Sequence, residues 1–406
     1  MSAHPLPDLN AVRRLLIIRL SAIGDVIHCL PISAALKEAY PHLEITWLVE
    51  EISEEIVSGN PCLHDVIVIP RGRWNRGRLR SPQVWAEYLQ FVRKLRRRRF
   101  DVTLDLQGYA KSALMALATG ARYRIGWWRM RDGSGIVSRS LPKRKESVHR
   151  VDWFLDVARV LGASPAIITF PLAVPAAERE RVREMLAAGG VDPDQPYAVL
   201  NQAAGDPARR WGTAQFGAVA ARLAREQGMP SVLVGVDKDR APNQEIIAHF
   251  QNYYVNSQEQ IRSAEEQLTS TQGTAKLVPL PLDLAGKTTL KELAAVIAGC
   301  AVQISGDTGS LHIAAALERP IVGLYGSSDP AHAGPWGQMH HILSRRDLCS
   351  RSCTIRRCAF VTDSANQNGD EPAITTARCL EAITPDEVMK MALRAMADAR
   401  VPADSQ

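Results

Sequence analysis

The stretch SGDTGSLH (Ser305–His312) decides the fold, because small and polar residues here separate a strand-like run from a helix-like run. The short apolar run AVQI (301–304) precedes it, and the Ala/Leu-rich run LHIAAAL continues it up to a turn-prone ERP. This succession predicts a buried strand, a tight loop and a helix. Free backbone N–H groups at the start of such a helix suit an anion. Alternatively, Asp307 or Ser305 serves only as the helix N-cap.

The same alternation of strand, loop and helix recurs along the chain. The strand-like runs are LLIIRL (15–20), EITWLV (44–49), DVIVI (65–69), DVTLDLQG (101–108), YAVLN (197–201), SVLVG (231–235) and IVGLY (321–325). Repeated strand–helix units predict parallel sheets covered by helices, and a Pro/Ala-rich stretch at 165–177 divides the series in two. We therefore expect an α/β protein with two doubly wound domains, 1–180 and 181–390, which face a cleft. Ligands in such folds bind at the carboxyl ends of the strands.

Two segments depart from this alternation. Residues 251–275 are polar and rich in Gln, Ser and Thr, which predicts an insertion that is disordered or forms a protruding helix. The last residues, 391–406, are expected to form a C-terminal tail.

Composition limits the class of protein. The chain has 406 residues, of which 46% are hydrophobic and 23% charged, values typical of a soluble globular protein. No apolar stretch approaches the ~20 residues of a membrane span, and the N-terminus lacks the layout of a secretory signal. These observations predict a cytoplasmic protein whose seven cysteines are reduced.

Basic residues are concentrated in one part of the chain. Residues 71–150 contain 21 Lys or Arg and 5 Asp or Glu, whereas the rest holds 28 of the 49 basic and 38 of the 43 acidic residues. Such a block suits nucleic acid, an anionic membrane surface, or a phosphorylated and carboxylated substrate. No nucleic-acid recognition motif accompanies it, so nucleic acid is disfavoured. RGRWNRGRLR (71–80) is predicted to be a loop, and RKLRRRRF (93–100) to lie on an amphipathic helix.

Three residues suggest transfer chemistry. Asp25 follows a glycine at the end of the first strand, where a carboxylate can act as general base on a hydroxyl or simply cap the next helix. Arg209 and Arg210 stand beside a loop of small residues and can bind phosphate oxygens. A base in one domain and a diphosphate site in the other describe a sugar-nucleotide transferase, since arginine and backbone amides stabilise the departing diphosphate.

Three ordered blocks resemble glycosyltransferase family 9, the ADP-heptose:lipopolysaccharide heptosyltransferases. They are LLIIRLSAIGDVIHCLPISAALKEAYPHLEITWLVEE, DLQGYAKSALMA and GDTGSLHIAAALERPIVGLYGSSDPAHAGPWG, of which the second is similar to heptosyltransferase I. The resemblance implies a GT-B fold with the acceptor on the N-terminal Rossmann-like domain and the nucleotide sugar on the C-terminal one. It also implies an inverting enzyme that moves a heptose from ADP-heptose to the Kdo-lipid A inner core of lipopolysaccharide.

The resemblance assigns most donor-site residues to one motif. The family's D-T-G-x-x-H motif matches Asp307, Thr308, Gly309 and His312, and Ser310 adds a backbone amide. These residues are expected to contact the sugar and the diphosphate.

The remaining family positions show departures as well as matches. Asp25 matches the proposed catalytic base, and Arg209, next to Arg210, stands where the family usually has a phosphate-binding lysine. Hydroxyl residues common before that lysine are replaced by Ala and Gly at 203–205. The nucleotide-contacting acid is either Asp237 or Asp239.

The basic block has a use in this scheme, because Kdo-lipid A carries carboxylates and phosphates and lies in a membrane leaflet. The expected acceptor and membrane contacts are Arg71, Arg73, Arg76, Arg78, Arg80 and Lys111. The protein is then a monomer that is peripheral on the inner face of the inner membrane.

We expect no cofactor and no essential metal. DKD (237–239) has the D-x-D form of a metal–nucleotide motif, but arginine and a helix N-terminus can replace the cation. Cys349, Cys353, Cys358 and Cys379 lack the C-x-x-C pairing of a zinc site, so a structural role is favoured over a bound metal.

Other activities stay open on the sequence alone. They are transfer with another nucleotide-sugar donor or acceptor, a nucleotide-sugar epimerase of the same architecture, and a non-catalytic nucleotide or glycan binder. A dinucleotide oxidoreductase is disfavoured because no G-x-G-x-x-G follows the first strand.

Overall fold

The chain divides into two compact units, residues 1–173 and 174–406. The computed structural model describes residues 6–75, 81–204, 209–265, 278–326, 328–348 and 378–399. The division lies inside the Pro/Ala-rich stretch 165–177, and the boundary expected at residue 180 falls within a helix that begins at Ala176.

The first unit is a six-stranded parallel sheet with helices on its faces. Its strands are β1 (Arg14–Ile18), β2 (Glu44–Glu50), β3 (Asp65–Ile69), β4 (Val102–Asp105), β5 (Tyr123–Gly126) and β6 (Arg139–Ser140), in the spatial order β3-β2-β1-β4-β5-β6. Its helices are α1 (Ile23–Ala39), α2 (Glu54–Val57), α3 (Arg71–Asn75), α4 (Pro82–Arg97), α5 (Ala110–Thr119), α6 (Ser134–Val137) and α7 (Arg150–Val160). The central strand β1 is fully buried from Leu15 to Ile18, as a parallel strand covered on both faces must be.

Helix α4 shows how the pattern of apolar residues places a helix on the sheet. Val84, Tyr88, Phe91 and Leu95 recur at helical spacing and pack into the core beneath it. The prediction that the basic run from Arg93 lies on an amphipathic helix is confirmed.

The prediction that residues 71–80 form a loop is wrong for its first half. Arg71–Asn75 form α3, and the Trp74 ring is buried in edge contacts with Tyr88 and Phe91 at centroid distances of 5.3 Å. Burial of this indole outweighs the weak helix propensity of Gly72 in the same helix. Residues 76–80 lie outside the described residues.

The second unit repeats the architecture of the first. Its strands are β7 (Ala198–Asn201), β8 (Ser231–Leu233), β9 (Leu282–Asp283), β10 (Val302–Gly306), β11 (Ile321–Tyr325) and β12 (Ile342–Ser344), in the spatial order β12-β11-β10-β7-β8-β9. Its helices are α8 (Ala176–Ala188), α9 (Thr213–Gln227), α10 (Arg240–Glu265), α11 (Leu290–Gly299), α12 (Gly309–Ala316), α13 (Pro330–Ala333), α14 (Arg378–Glu381) and α15 (Pro385–Asp398). The predicted doubly wound α/β class is confirmed.

The two segments that depart from the strand–helix alternation contain helix where the structure describes them. Residues 251–265, the first part of the polar insertion, continue α10, and Phe250 stacks on Tyr254 in this helix. The tail expected from residue 391 is, up to Asp398, the end of α15, in which three side chains face the core: Ala392, Ala395 and Met396.

The strand order fixes where a site can form in each unit. Both sheets change the direction of their connections between the first and fourth strands, which are β1 and β4 in one unit and β7 and β10 in the other. The crevice at such a switch point, beyond the carboxyl ends of the strands, is the usual ligand position in this fold. Asp25 follows β1, and Asp307 follows β10 directly.

Candidate functional site

In the first unit, Asp25 is held by two arginines. It is the third residue of α1, whose N-cap position is taken by Ala22, so Asp25 does not cap the helix. Its Oδ2 lies 2.6 Å from Nη2 of Arg19, and its Oδ1 accepts a hydrogen bond from Nη1 of Arg150. The carboxylate is therefore oriented by ion pairs rather than by the helix end.

The two arginines differ in their surroundings. Arg19 is buried, donates from Nη1 to the Leu106 carbonyl at 2.6 Å, and lies 5.4 Å from the centre of the Phe154 ring. Arg150 is the first residue of α7 and is a third exposed. A ligand can thus reach Arg150, whereas Arg19 is fixed in the protein.

Two more arginines bring positive charge to the same place. Burial lowers the pKa of Arg129, and the like charges of Arg131 and Arg150 lower it further. Arg131 donates to the Tyr109 hydroxyl at 3.2 Å and lies over the Tyr109 ring. Excess positive charge near Asp25 is suited to an anionic ligand.

Four arginines near Asp25 are not predicted from the sequence as site residues: Arg19, Arg129, Arg131 and Arg150. The available signal was the placement of RMR (129–131) shortly after β5 and of Arg150 at a helix start.

Arg71 and Lys111, two expected acceptor contacts, converge on the buried carboxylate of Glu50. Arg71 Nη1 lies 2.8 Å from one Glu50 oxygen, and Lys111 Nζ lies 3.1 Å from the other. Burial opposes ionisation of Glu50, but these two cations outweigh it and lower its pKa. Arg73 instead faces solvent, 4.0 Å from Glu87. The other expected contacts, Arg76, Arg78 and Arg80, lie outside the described residues.

A buried acid also shapes the turn that carries Lys111. Asp105 ends β4 and accepts hydrogen bonds from the backbone N–H of Gln107 and Gly108 and from the Ser112 hydroxyl, at 3.1, 2.9 and 3.0 Å. Burial outweighs these contacts and raises the pKa of Asp105. The Gln107 side chain in turn accepts from the Leu20 N–H at 3.0 Å, which links this turn to the loop before Asp25.

In the second unit, SGDTGSLH forms the predicted junction of strand, loop and helix. β10 ends at Gly306 and α12 begins at Gly309, with Thr308 at the N-cap position. Asp307 and Ser305 therefore do not cap α12.

Hydroxyl groups connect this loop to the neighbouring strand. The Thr308 hydroxyl lies 2.8 Å from that of Ser305 and 2.9 Å from that of Ser310. Ser310 also accepts from Asn201 Nδ2 at 2.7 Å and from Gln303 Nε2 at 2.9 Å. This network fixes the first turn of α12, whose N–H groups have no partner within the helix and suit an anion.

Asp307 brings together two of the predicted donor-site residues. One of its oxygens lies 3.5 Å from His312 Nε2, and the other lies 3.5 Å from Arg209 Nη1. Burial opposes ionisation of Asp307, but His312 and Arg209 outweigh it, so that its pKa is lowered. Arg209 is 44% exposed at its side chain, which leaves its guanidinium open to a phosphate.

Arg210 does not join this group. Its Nε and Nη2 donate to the Ala204 carbonyl at 3.3 and 3.1 Å, so its guanidinium closes the loop before it. Arg210 therefore has a structural contact, and its contact with a phosphate stays a prediction.

The structure distinguishes Asp237 from Asp239. Asp239 is buried and accepts from the Val236 N–H at 2.9 Å, whereas the Asp237 carboxylate is largely exposed and pairs with Arg240 at 3.1 Å. The two carboxylates therefore differ in both their partners and their exposure. Asp237 alone is available to a ligand.

Other potential ligating groups lie elsewhere. Cys29 and Cys300 are buried, and burial raises the pKa of both thiols, that of Cys300 to about 12. Cys62 and Cys379 are half-buried, and the three cysteines at 349, 353 and 358 lie outside the described residues. Within the described ranges, one group has the composition of a metal site, with ligand atoms within 4.8 Å of one another: His340, His341 and Asp398.

Comparison with known proteins identifies close relatives across the chain. Residues 88–360 match glycosyltransferase family 9 (heptosyltransferase). Lipopolysaccharide heptosyltransferase 1 of Pseudomonas aeruginosa is 26% identical over 86% of this chain and 88% of its own. Lipopolysaccharide heptosyltransferase 2 of Salmonella typhimurium is 27% identical over 81% of this chain and 87% of its own. Sequence identity therefore does not separate the two types.

Solved structures show the same fold. The ADP-heptose lipopolysaccharide heptosyltransferase II of Escherichia coli covers 96% of this chain and 100% of its own, with a TM-score of 0.68 and 22% identity. A family 9 glycosyltransferase from Veillonella parvula covers 97% and 99%, with a TM-score of 0.71 and 20% identity. The predicted GT-B fold is confirmed. The family match covers residues 88–360, which is more than half of the chain. This chain therefore belongs to glycosyltransferase family 9, the heptosyltransferases.

Proposed function

We propose that this enzyme transfers a heptose from ADP-heptose to the Kdo-lipid A inner core of lipopolysaccharide, with inversion at the sugar carbon. The observation that carries the proposal is the Asp25 carboxylate, paired with Arg19 and Arg150 in a region of excess positive charge. The carboxylate can accept a proton from the attacking hydroxyl. The cations around it suit an acceptor molecule that also carries anionic groups. The names of the relatives, lipopolysaccharide heptosyltransferases 1 and 2, support a heptose as the transferred sugar and lipopolysaccharide as the product that receives it.

In this proposal, the first unit binds and activates the acceptor. Arg129, Arg131 and Arg150 bind its carboxylates and phosphates, and Asp25 accepts the proton of the attacking hydroxyl. When an acceptor anion takes over Arg150, the Asp25 oxygen that Arg150 occupied becomes available for that proton. Arg19 stays in place and keeps the carboxylate oriented.

The second unit binds the nucleotide sugar and stabilises the leaving group. Arg209 and the N–H groups at the start of α12 bind the diphosphate, and the exposed Asp237, rather than Asp239, contacts the nucleotide. The acceptor oxygen forms a bond to the anomeric carbon as the bond from that carbon to the diphosphate oxygen breaks. The electron pair leaves with ADP, and the proton goes to Asp25.

A second acceptor is the main alternative, because the type 2 relative is as similar to this chain as the type 1 relative. The enzyme would then add its heptose to a core that already carries one. Supplying Kdo-lipid A and its monoheptosylated form separately distinguishes the two types.

The experiment measures ADP release from ADP-heptose with and without each acceptor, for the wild type and for Asp25→Asn. We expect release that depends on acceptor, and a decrease in kcat of about 10²- to 10⁴-fold in Asp25→Asn with little change in donor KM. Asp65→Asn is the matched control, because Asp65 is also paired with an arginine, Arg98, but lies at the start of β3. Release without any acceptor would favour an epimerase, and full activity of Asp25→Asn would exclude Asp25 as the base.

A further inference from the structure

Apolar side chains are exposed on two neighbouring helices of the first unit. Trp85 and Leu89 on α4 are 50% and 46% exposed, and Leu114 and Leu117 on α5 are 54% and 50% exposed. Residues four apart on α4 and three apart on α5 lie on one side of their helix. We call these four side chains the α4–α5 face.

Both helices pack on the same layer of the sheet and touch each other. Leu95 of α4 and Met115 of α5 share one core cluster. At their carboxyl ends, the Arg96 guanidinium lies 3.6 Å from the position that a Cβ on Gly120 would take. The side chains of Trp85, Leu89 and Arg96 follow one line along α4, so apolar and basic groups share that line.

The cations at the end of α4 differ from Arg71 and Lys111 in their ion pairing. Within the part of the chain that the structure describes, no ion pair involves the basic residues at the end of α4, which are Arg93, Lys94, Arg96 and Arg97. Arg71 and Lys111, by contrast, are both paired with the Glu50 carboxylate, which offsets part of their charge. The one acid on α4, Glu87, faces Arg73. The free positive charge of this layer therefore adjoins the exposed apolar groups.

An indole and leucines beside unpaired arginines and lysines match the chemistry of a bilayer surface that contains anionic lipid. Trp prefers the level of the lipid headgroups, leucine enters the acyl boundary, and cations are attracted to anionic headgroups. No helix among the described residues is long and apolar enough to cross a membrane. We propose that the α4–α5 face, with the basic end of α4, docks this enzyme on an anionic lipid bilayer. The inference deepens the proposed function, since an acceptor anchored in lipid must be reached at a membrane surface.

The test measures binding of the full chain to vesicles in the absence of nucleotide and acceptor, so that it does not depend on transferase activity. Vesicles of phosphatidylethanolamine with phosphatidylglycerol are compared with vesicles of phosphatidylcholine, and bound protein is separated by sedimentation. We expect binding to the anionic vesicles only, decreasing as salt is added because salt screens the headgroup charge.

Two variants separate the apolar and basic contributions. Trp85→Ser with Leu89→Ser should weaken binding about tenfold or more. Arg93→Gln with Lys94→Gln and Arg97→Gln should weaken it about 100-fold, because each cation near an anionic surface contributes about one kcal/mol. The matched control is Ile136→Ser, which removes an 85% exposed apolar side chain from α6 of the same unit.

Circular dichroism and thermal unfolding check that each variant is folded. We expect all of them to fold, because the substituted side chains are exposed. Equal binding of the wild type and both variants would overturn the proposal, as would absence of binding to anionic vesicles at low salt. A wild type that forms dimers without binding vesicles, and that becomes monomeric in Trp85→Ser with Leu89→Ser, would also overturn it, because a second copy would then cover the face.

Discussion

Asp25 depends on Arg19 and Arg150, two residues that are far from each other in the sequence. Arg19 precedes it by six positions, whereas Arg150 follows it by 125. The sequence alone predicts Asp25 from its place after a strand and a glycine. It could not predict Arg150, because only the folded sheet brings the start of α7 to the loop after β1.

Replacement of Arg19 and replacement of Arg150 are expected to change different properties of the enzyme. Arg19→Gln removes a buried cation that orients the carboxylate, so kcat should fall and the free energy of unfolding should decrease by about 1–3 kcal/mol. Arg150→Gln should instead raise the acceptor KM, because a ligand can reach this guanidinium. Steady-state kinetics with both substrates, together with urea unfolding, compare the variants.

The pH profile of kcat provides the readout that a purely structural role would not change. If Arg19 positions the base, Arg19→Gln should shift the acidic limb of the profile, whereas Arg19→Lys should restore part of it. An unchanged profile with lowered stability would mean that Arg19 only supports the fold.

Asp105 should make the stability of the protein depend on pH in a predictable direction. Burial raises the pKa of Asp105 in the folded protein above its pKa in the unfolded chain. The folded state therefore has its full stability below the pKa of the unfolded chain, and it loses part of that stability as pH rises through the pKa of the folded state. Asp105→Asn carries no charge at any pH and still accepts from Gln107 and Gly108. The stability of Asp105→Asn relative to the wild type should therefore increase as pH rises above about 4.

Urea unfolding of both proteins across this pH range measures the difference. A difference that stays constant with pH would contradict the raised pKa. Asp65→Asn again serves as the control for the loss of one carboxylate.

At the scale of elements, short turns determine which side chains meet at the end of each sheet. The strands and long helices could be predicted, since their apolar periodicity is regular. Helix α3 could not, because the burial of Trp74 against α4 decides it and local composition favours a loop. In the same way, the partners of Arg210 and Asp239 are local backbone groups that no spacing in the sequence reveals.

The turn after β4 is sensitive to the addition of a single methyl group. Gly108 has a left-handed backbone, with φ of 74°, and a Cβ there would lie 2.5 Å from Trp127 Nε1 and 2.6 Å from the Arg129 carbonyl. Gly108→Ala should decrease the free energy of unfolding by at least about 2 kcal/mol. It should also raise the acceptor KM, because the displaced turn carries Lys111 and contacts the segment of Arg129.

Gly228→Ala is the control for the left-handed backbone without the clash, since Gly228 has φ of 61° and no atom within 4 Å of the Cβ position. It should be destabilised less than Gly108→Ala and should keep the wild-type KM for both substrates. Equal effects of the two substitutions would assign the whole cost to backbone conformation.

At the scale of the whole molecule, the two units are expected to bind separate substrates. The stabilisation of the protein by bound ADP can test this expectation. ADP at about 100 times its Kd should add about 2.7 kcal/mol to the free energy of unfolding of the unit that binds it. Arg209→Gln should reduce the increase in Tm caused by ADP. Asp25→Asn should leave it unchanged.

Differential scanning calorimetry of the three proteins with and without ADP gives the comparison. An ADP effect that survives in Arg209→Gln and disappears in Asp25→Asn would reverse the assignment of the units. The assignment of one substrate to each unit could be predicted from the sequence, because the blocks around Asp25 and around Asp307 lie in different units. The arginine cluster near Asp25 could not be predicted, because its members are brought together only by the fold.

The aromatic residues behind Asp25 have a practical consequence for observing the enzyme at work. Three of its eight tryptophans, Trp127, Trp128 and Trp153, lie in mutual ring contact, and Trp127 also touches Phe154, over which Arg19 lies. Trp128 is the residue immediately before Arg129. Arrival of an anion at the arginine cluster should therefore alter the electric field at these indoles, and with it their fluorescence. If the acceptor binds the first unit as proposed, tryptophan fluorescence should report its binding without a label.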